Sequence, residues 1–155
     1  MSAIATPSRC AKRLALTGAL LGLALISTSA LGAEKQASSL LNQAAADFSQ
    51  GKYSSAARHY RAALNENKTD PTVYLGLAMA LKSDGRLPEA KGVLEQLIQL
   101  YPQYAPAHYN LGETLEAQGN LDAAKASYRR YLELSGGELP PSPEIRIKFR
   151  RLGLI

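Results

Sequence analysis

Apolar and small residues recur every three or four positions along most of the chain, the spacing that puts them on one face of a helix. Two runs show this spacing most clearly. The first consists of Tyr74, Leu77, Ala78 and Leu81, and the second of Leu94, Leu97, Ile98 and Tyr101. The pattern predicts helices at residues 37–50, 53–67, 71–84, 87–101, 105–118 and 121–134, followed by a seventh at about 143–152. Both helices of the central pair are amphipathic, as expected for helices that share a core.

The pattern repeats every 34 residues, which divides residues 34–138 into three helix-turn-helix units at 37–70, 71–104 and 105–138. Three sets of small residues define the repeat: Gly51, Gly85 and Gly119; Ala44, Ala78 and Gly112; and Ala56, Ala90 and Ala124. The first set would end the first helix of each unit in a left-handed conformation that glycine adopts without strain. The other two sets would let the paired helix axes approach closely.

Two segments carry this repeat most clearly, LGLAMALKSDGRLPEAKGVLEQLIQLYP and YNLGETLEAQGNLDAAKASYRRYLEL. They resemble the tetratricopeptide repeat (TPR) family, whose units are helix-turn-helix pairs of 34 residues. The resemblance implies an all-α fold in which three units stack as a short right-handed solenoid with a C-terminal capping helix. Residues 139–155 would supply a proline-rich link and that basic helix, whose first role is to solvate the end of the stack. The alternative role is contact with anionic lipid or an acidic partner.

The first unit departs from the pattern. Gln43 and Asp47 occupy the positions held by Leu77 and Leu81 in the second unit. We therefore expect the first helix to be rotated or frayed.

The N-terminus has the layout of a secretory signal. Arg9, Lys12 and Arg13 precede an apolar run at 14–26, and small residues follow up to Ala33. This layout predicts a signal peptide over 1–33 that is cleaved after Ala33, with Ala30 as a competing site. The protein would then be exported, to the periplasm of a bacterium. The alternative is an uncleaved inner-membrane anchor, because residues 14–33 are long enough to span a bilayer.

Charge and cysteine content narrow the chemistry. Cleavage after Ala33 would lower the net charge from +5 to +2, because three basic and no acidic residues precede the cut. Much of the remaining excess lies in the predicted C-terminal helix, so nucleic acid is disfavoured as a partner. The mature chain would lack Cys10, the single cysteine, and with it any disulfide, zinc-thiolate site or thiol nucleophile.

Catalytic and cofactor motifs are missing from the sequence. His59 and His108 fall in different units, and His108 shares the packing position of Tyr74, which predicts a buried structural histidine. Glu113 and Glu116 lie three residues apart on one helix, a spacing more typical of a solvated face than of a catalytic or metal-binding pair. We therefore predict a protein that is not an enzyme and has no cofactor or metal site.

The resemblance also implies a concave groove lined by the first helix of each unit. The predicted groove residues are Leu41, Asn42, Phe48, Leu75, Met79, Lys82, Tyr109, Asn110, Glu113 and Glu116. The groove would be apolar at its start and acidic later, and it lacks the basic clamp with which co-chaperone members of the family bind a terminal carboxylate. An apolar groove suits a peptide or helix of another protein, unless Leu41, Phe48 and Met79 only pack on one another. The signal segment, the repeats and the lack of catalytic groups together predict a scaffold or adaptor in the cell envelope, which would help to assemble a pilus, secretion or outer-membrane complex. The alternative is a membrane-anchored or membrane-surface TPR protein that uses the N-terminal segment or the basic C-terminal helix.

Overall fold

The computed structural model describes residues 35–66, 70–136 and 142–155, and these residues form seven helices and no strand. The predicted signal segment lies outside the described residues, as does the predicted link at 139–141. The helices are α1 (residues 35–49), α2 (Tyr53–Glu66), α3 (Pro71–Ser83), α4 (Leu87–Leu100), α5 (Ala105–Ala117), α6 (Leu121–Leu134) and α7 (Pro143–Arg151). Each bound lies within two residues of the predicted one.

Helix ends follow from local chemistry. Asp70 precedes α3 and its carboxylate accepts a hydrogen bond of 2.8 Å from the Thr72 backbone N–H, which caps the helix. At the other end, Gly85 has a φ of 79°. This left-handed residue lets the Arg86 N–H reach the Leu81 carbonyl at 2.9 Å, so carbonyls of the last turn are satisfied. Gly51 and Gly119 adopt the same conformation after α1 and α5.

Successive helices from α2 to α6 pack on one another, and the first helices α3 and α5 also touch. The helix α3 contacts α2, α4 and α5. The small residues of the repeat lie at these crossings: Ala44, Ala56, Ala78, Ala90, Ala124 and Gly112 are all buried. The predicted all-α architecture of stacked helix pairs is confirmed.

The helix α1 joins the stack through polar as well as apolar contacts. Asp47 Oδ2 lies 3.0 Å from Nδ1 of His59 on α2. A hydrogen bond from Ser55 and the neighbouring His59 lower the pKa of Asp47. The Phe48 ring packs edge-on against Tyr53 at a centroid distance of 5.3 Å. Asp47, at the position that leucine holds in the second unit, is therefore accommodated by a contact with α2. The helix α1 is continuous over residues 35–49, so the expected fraying is not seen in these residues.

The helix α7 continues the 34-residue register. Ile145, Phe149 and Gly153 follow Leu111, Leu115 and Gly119 by 34 residues. The turn is repeated as well, because the Leu154 N–H donates to the Phe149 carbonyl at 2.9 Å, as Asn120 does to Leu115. Gly153 has a φ of 70°. The capping helix is thus built as the first helix of a fourth unit.

Candidate partner-binding groove

Ion pairs connect the first helices of neighbouring units. The helices α3 and α5 are in direct contact, and Lys82 of α3 bridges to Glu113 of α5 with an Nζ–Oε2 distance of 2.5 Å. Lys148 of α7 lies 3.7 Å from the other oxygen of Glu113. The predicted groove therefore continues from α3 over α5 to α7.

The apolar part of the predicted groove is only partly available to a partner. Leu41, Phe48 and Leu75 are half-buried, and both Phe48 and Leu75 pack against core clusters. Met79 is the exception, because 36% of its surface is exposed. Asn42 is exposed beside Leu41. Met79 is thus the most exposed apolar side chain of the predicted groove.

The acidic part of the predicted groove is neutralised from within. Glu113 receives the Lys82 ammonium on one oxygen, and the Tyr109 hydroxyl donates to the other at 2.9 Å. Burial alone would raise the pKa of Glu113, but the hydrogen bond and charge of Lys82 outweigh it, so the pKa is lowered. This carboxylate is held as an anion by groups of its own chain and is not free to bind a cationic partner.

Glu116 is engaged in the same way one turn later. Lys148 lies 3.1 Å from its Oε2, and the Tyr128 hydroxyl donates to the same oxygen at 2.7 Å. Burial raises the pKa of Tyr128, and so do the neighbouring carboxylates of Glu116 and Glu113. Asn110, the remaining polar groove residue, donates from Nδ2 to the Pro106 carbonyl at 2.9 Å. The far end of the groove is therefore polar without carrying an unpaired acid.

Replacing Glu113 with glutamine is expected to lower the free energy of unfolding by about 1 kcal/mol at pH 7, because Lys82 loses its counter-charge in a partly buried site. The pKa of Glu113 is lowered in the folded protein from its ordinary value of 4.5. The ion pair therefore stabilises the fold fully above pH 4.5, and this stabilisation is lost as the pH falls through the pKa of the folded state. The measurement is the difference in urea unfolding free energy between wild type and E113Q from pH 7 to pH 3. A difference that does not shrink at low pH would contradict the ion-pair origin.

An aromatic cluster closes the α7 end of the groove. Phe149 is fully buried, with its ring centroid 5.0 Å from that of Tyr128 and 6.3 Å from that of Tyr109. Tyr131 packs edge-on against Tyr109 at 5.3 Å. The sequence predicts this helix as a cap, and its pattern alone does not reveal that Lys148 and Phe149 complete the end of the groove. The signal that could have found them is the same 34-residue spacing that places Phe149 after Leu115.

The two histidines serve packing. His108 is 8% exposed and its Nε2 lies at hydrogen-bond distance, 3.0 Å, from the Pro102 carbonyl, which agrees with the predicted structural role. His59 lies beside Asp47 at the α1–α2 contact. Over residues 35–66, 70–136 and 142–155, no group of acids, histidines or cysteines is arranged to hold a metal ion. None of the helices in these ranges is long and apolar enough to cross a membrane.

Two family models, both described as tetratricopeptide repeat, match residues 47–97 and 75–138. The Fusarium oxysporum f. sp. lycopersici protein "Tetratricopeptide repeat and J domain-containing co-chaperone DNJ1" is 33% identical over 117 residues. That alignment covers 74% of this chain and 22% of the relative's length. The chain thus spans less than a quarter of the length of that relative.

Two solved structures show the same fold. The first TPR of Spaghetti (RPAP3), bound to the HSP90 peptide SRMEEVD, has a TM-score of 0.67 at 24% identity and covers 77% of this chain and 91% of that one. The Yersinia enterocolitica type III secretion chaperone SycD, in complex with a peptide of the translocator YopD, has a TM-score of 0.62 at 20% identity, covering 75% and 86%. Together the two family models span more than half of the residues of this chain. Over the same residues the structure shows the helix pairs and turns of the repeat. The chain therefore belongs to the tetratricopeptide repeat family.

Proposed function

We propose that this protein is a non-catalytic adaptor that binds an apolar helix or extended segment of another protein across α1, α3 and α5. The observation that carries the proposal is the exposed Met79 on α3, the helix that also carries the half-buried Leu75 and whose Lys82 is paired with Glu113. A thioether side chain is flexible and adapts to varied apolar partners. Partner binding through side-chain anchors in such a groove needs no catalytic group.

The arrangement of charges favours an apolar segment as the partner over a charged chain terminus. The carboxylates of Glu113 and Glu116 and the ammonium of Lys82 are already matched within the chain, so none of them selects an ionic partner. The resemblance implies that the carboxylate clamp of co-chaperone members of the family would fall at Leu41, Ala45, Gly76, Pro106 and Asn110, and none of these residues is basic. Although the RPAP3 domain was solved with an HSP90 peptide, we do not expect this chain to bind a terminal carboxylate in that way.

We place this adaptor in a bacterial cell envelope, where it would help to assemble a pilus, secretion or outer-membrane complex. The support is the signal-like segment at 1–33, which predicts export to the periplasm or retention as an inner-membrane anchor. SycD, a bacterial secretion chaperone, shares the fold and was solved with a peptide of its translocator.

The groove is tested by placing charge on it. The double variant L75E/M79E is expected to abolish photo-crosslinking of a partner in producing cells while the circular dichroism spectrum stays helical, because two carboxylates would be desolvated on binding. The matched control is L100E/L121E, two leucines that are each 50% exposed on second helices, where capture should be unchanged. Capture that survives L75E/M79E, or is lost equally in the control, would overturn the groove assignment.

A further inference from the structure

We propose that the outer face of α7, formed by Arg146, Ile147, Arg150 and Arg151, binds an anionic phospholipid surface. This face is separate from the groove that contains Met79 and gives the protein a second interaction, with a membrane. All four side chains are exposed, and they share the half of α7 that points away from α5 and α6.

The opposite half of α7 is fully engaged, which fixes the helix orientation. Phe149 is buried, and Ile145 and Leu152 pack into the same cluster. Lys148 is turned inward to Glu113 and Glu116. Because these contacts hold α7 on α5 and α6, the arginines are presented on the end of the stack by a docked helix.

The outer face carries unmatched positive charge. The nine residues of α7 contain four basic residues and one acid, a net charge of +3. In the part of the chain that the structure describes, Lys148 makes the ion pairs of α7, and none is formed by Arg146, Arg150 or Arg151. The acid, Glu144, is at the start of the helix and accepts a hydrogen bond from Ser142. Guanidinium groups placed in this way match the geometry of phosphate oxygens.

Exposed isoleucines favour a lipid surface over an acidic protein. Ile147 lies among the arginines with 56% of its surface exposed, and Ile155, just beyond the helix, is 43% exposed. Apolar side chains within a basic face are typical of helices that lie in the membrane interface, where they enter the acyl boundary while the cations contact headgroups.

The sequence supplies an independent reason for a membrane. Residues 14–33 contain no charged side chain and are predicted to act as a signal or as an anchor. Either role brings the chain to a membrane, and the anchor would hold it there. A peripheral contact through α7 would then act together with the N-terminal segment, since weak membrane-binding elements gain strength when they are combined.

The test uses tryptophan fluorescence, because the chain contains no native tryptophan. The variant I147W is mixed with vesicles of phosphatidylglycerol and phosphatidylcholine, and with vesicles of phosphatidylcholine alone. We expect a blue shift with the anionic vesicles that high salt reverses, and none with the neutral ones. The control Q96W, on the exposed surface of α4, should show no shift with either.

The arginines are tested in the I147W background. R146Q/R150Q/R151Q is expected to weaken partitioning onto anionic vesicles about 100-fold, as expected for three surface cations. The matched triple R58Q/R129Q/R130Q, which removes three exposed arginines from α2 and α6, should partition as before. No shift with anionic vesicles, an equal shift with neutral ones, or a shift with poly-glutamate alone would each overturn the proposal, the last in favour of an acidic protein.

Discussion

Replacing Phe149 with alanine is expected to lower the free energy of unfolding by about 3–5 kcal/mol, the range for removing a large buried aromatic side chain. Phe149 has no exposed surface, and its ring contacts those of Tyr109, Tyr128 and Tyr131. A cavity at this point would detach α7 from the stack. Because neighbouring repeats stabilise one another in a solenoid, the loss should appear first in α7 and then in α5 and α6.

The chain offers a matched control in Phe48, its other phenylalanine. Phe48 is half-buried on α1, so F48A should cost about half as much or less. Urea unfolding gives the global values, and amide hydrogen exchange shows whether protection is lost over Pro143–Arg151. Equal losses in the two variants, or α7 amides that stay protected in F149A, would contradict the role assigned to this ring.

The first helices could be predicted closely because two independent signals in the sequence mark each of them. The periodicity of apolar residues predicts a helix, and the 34-residue spacing of Gly51, Gly85 and Gly119 independently marks where first helices end. Each of these glycines has a positive φ in the structure. Because the periodicity and the glycine spacing agree, the ends of the first helices are closely defined by the sequence.

The groove chemistry could not be predicted in the same way, because it depends on pairs that are distant in sequence. Glu113 is paired with Lys82, 31 residues earlier, and with Lys148, 35 residues later. Sequence reasoning placed all three residues on suitable helices, but periodicity does not show which long side chains meet. An acidic groove end was therefore expected where the structure has neutralised carboxylates.

Lys148 connects the two proposed surfaces of the molecule. Its ammonium pairs with Glu113 and Glu116 at the end of the groove, while Phe149 beside it fixes the helix that carries the outer arginines. The groove end and the outer face of α7 are thus built on opposite sides of one short helix. Loss of Phe149 should weaken vesicle binding as well as stability, since the arginines would no longer be presented on an ordered face.

Replacing Gly112 with alanine is expected to lower the free energy of unfolding by about 2 kcal/mol, although alanine is the better helix former by about 1 kcal/mol. A Cβ at Gly112 would lie 2.5 Å from Cε1 of Tyr128. That ring has no room to move, because Tyr128 is fully buried beside Phe149 and its hydroxyl is bound to Glu116. The gain in helix propensity is therefore exceeded by overpacking.

Gly76 provides the comparison, because its added Cβ would lie 2.6 Å from the Tyr60 ring. Tyr60 is only half-buried and can swing aside, so G76A should cost less than about 1 kcal/mol or even stabilise the protein. Urea unfolding of both variants measures the contrast between two glycines that face similar clashes. Since the clash distances are nearly equal, a smaller loss in G112A than in G76A would show that the tyrosine at the α5–α6 crossing is free to repack, and that the rigidity inferred for the aromatic cluster is wrong.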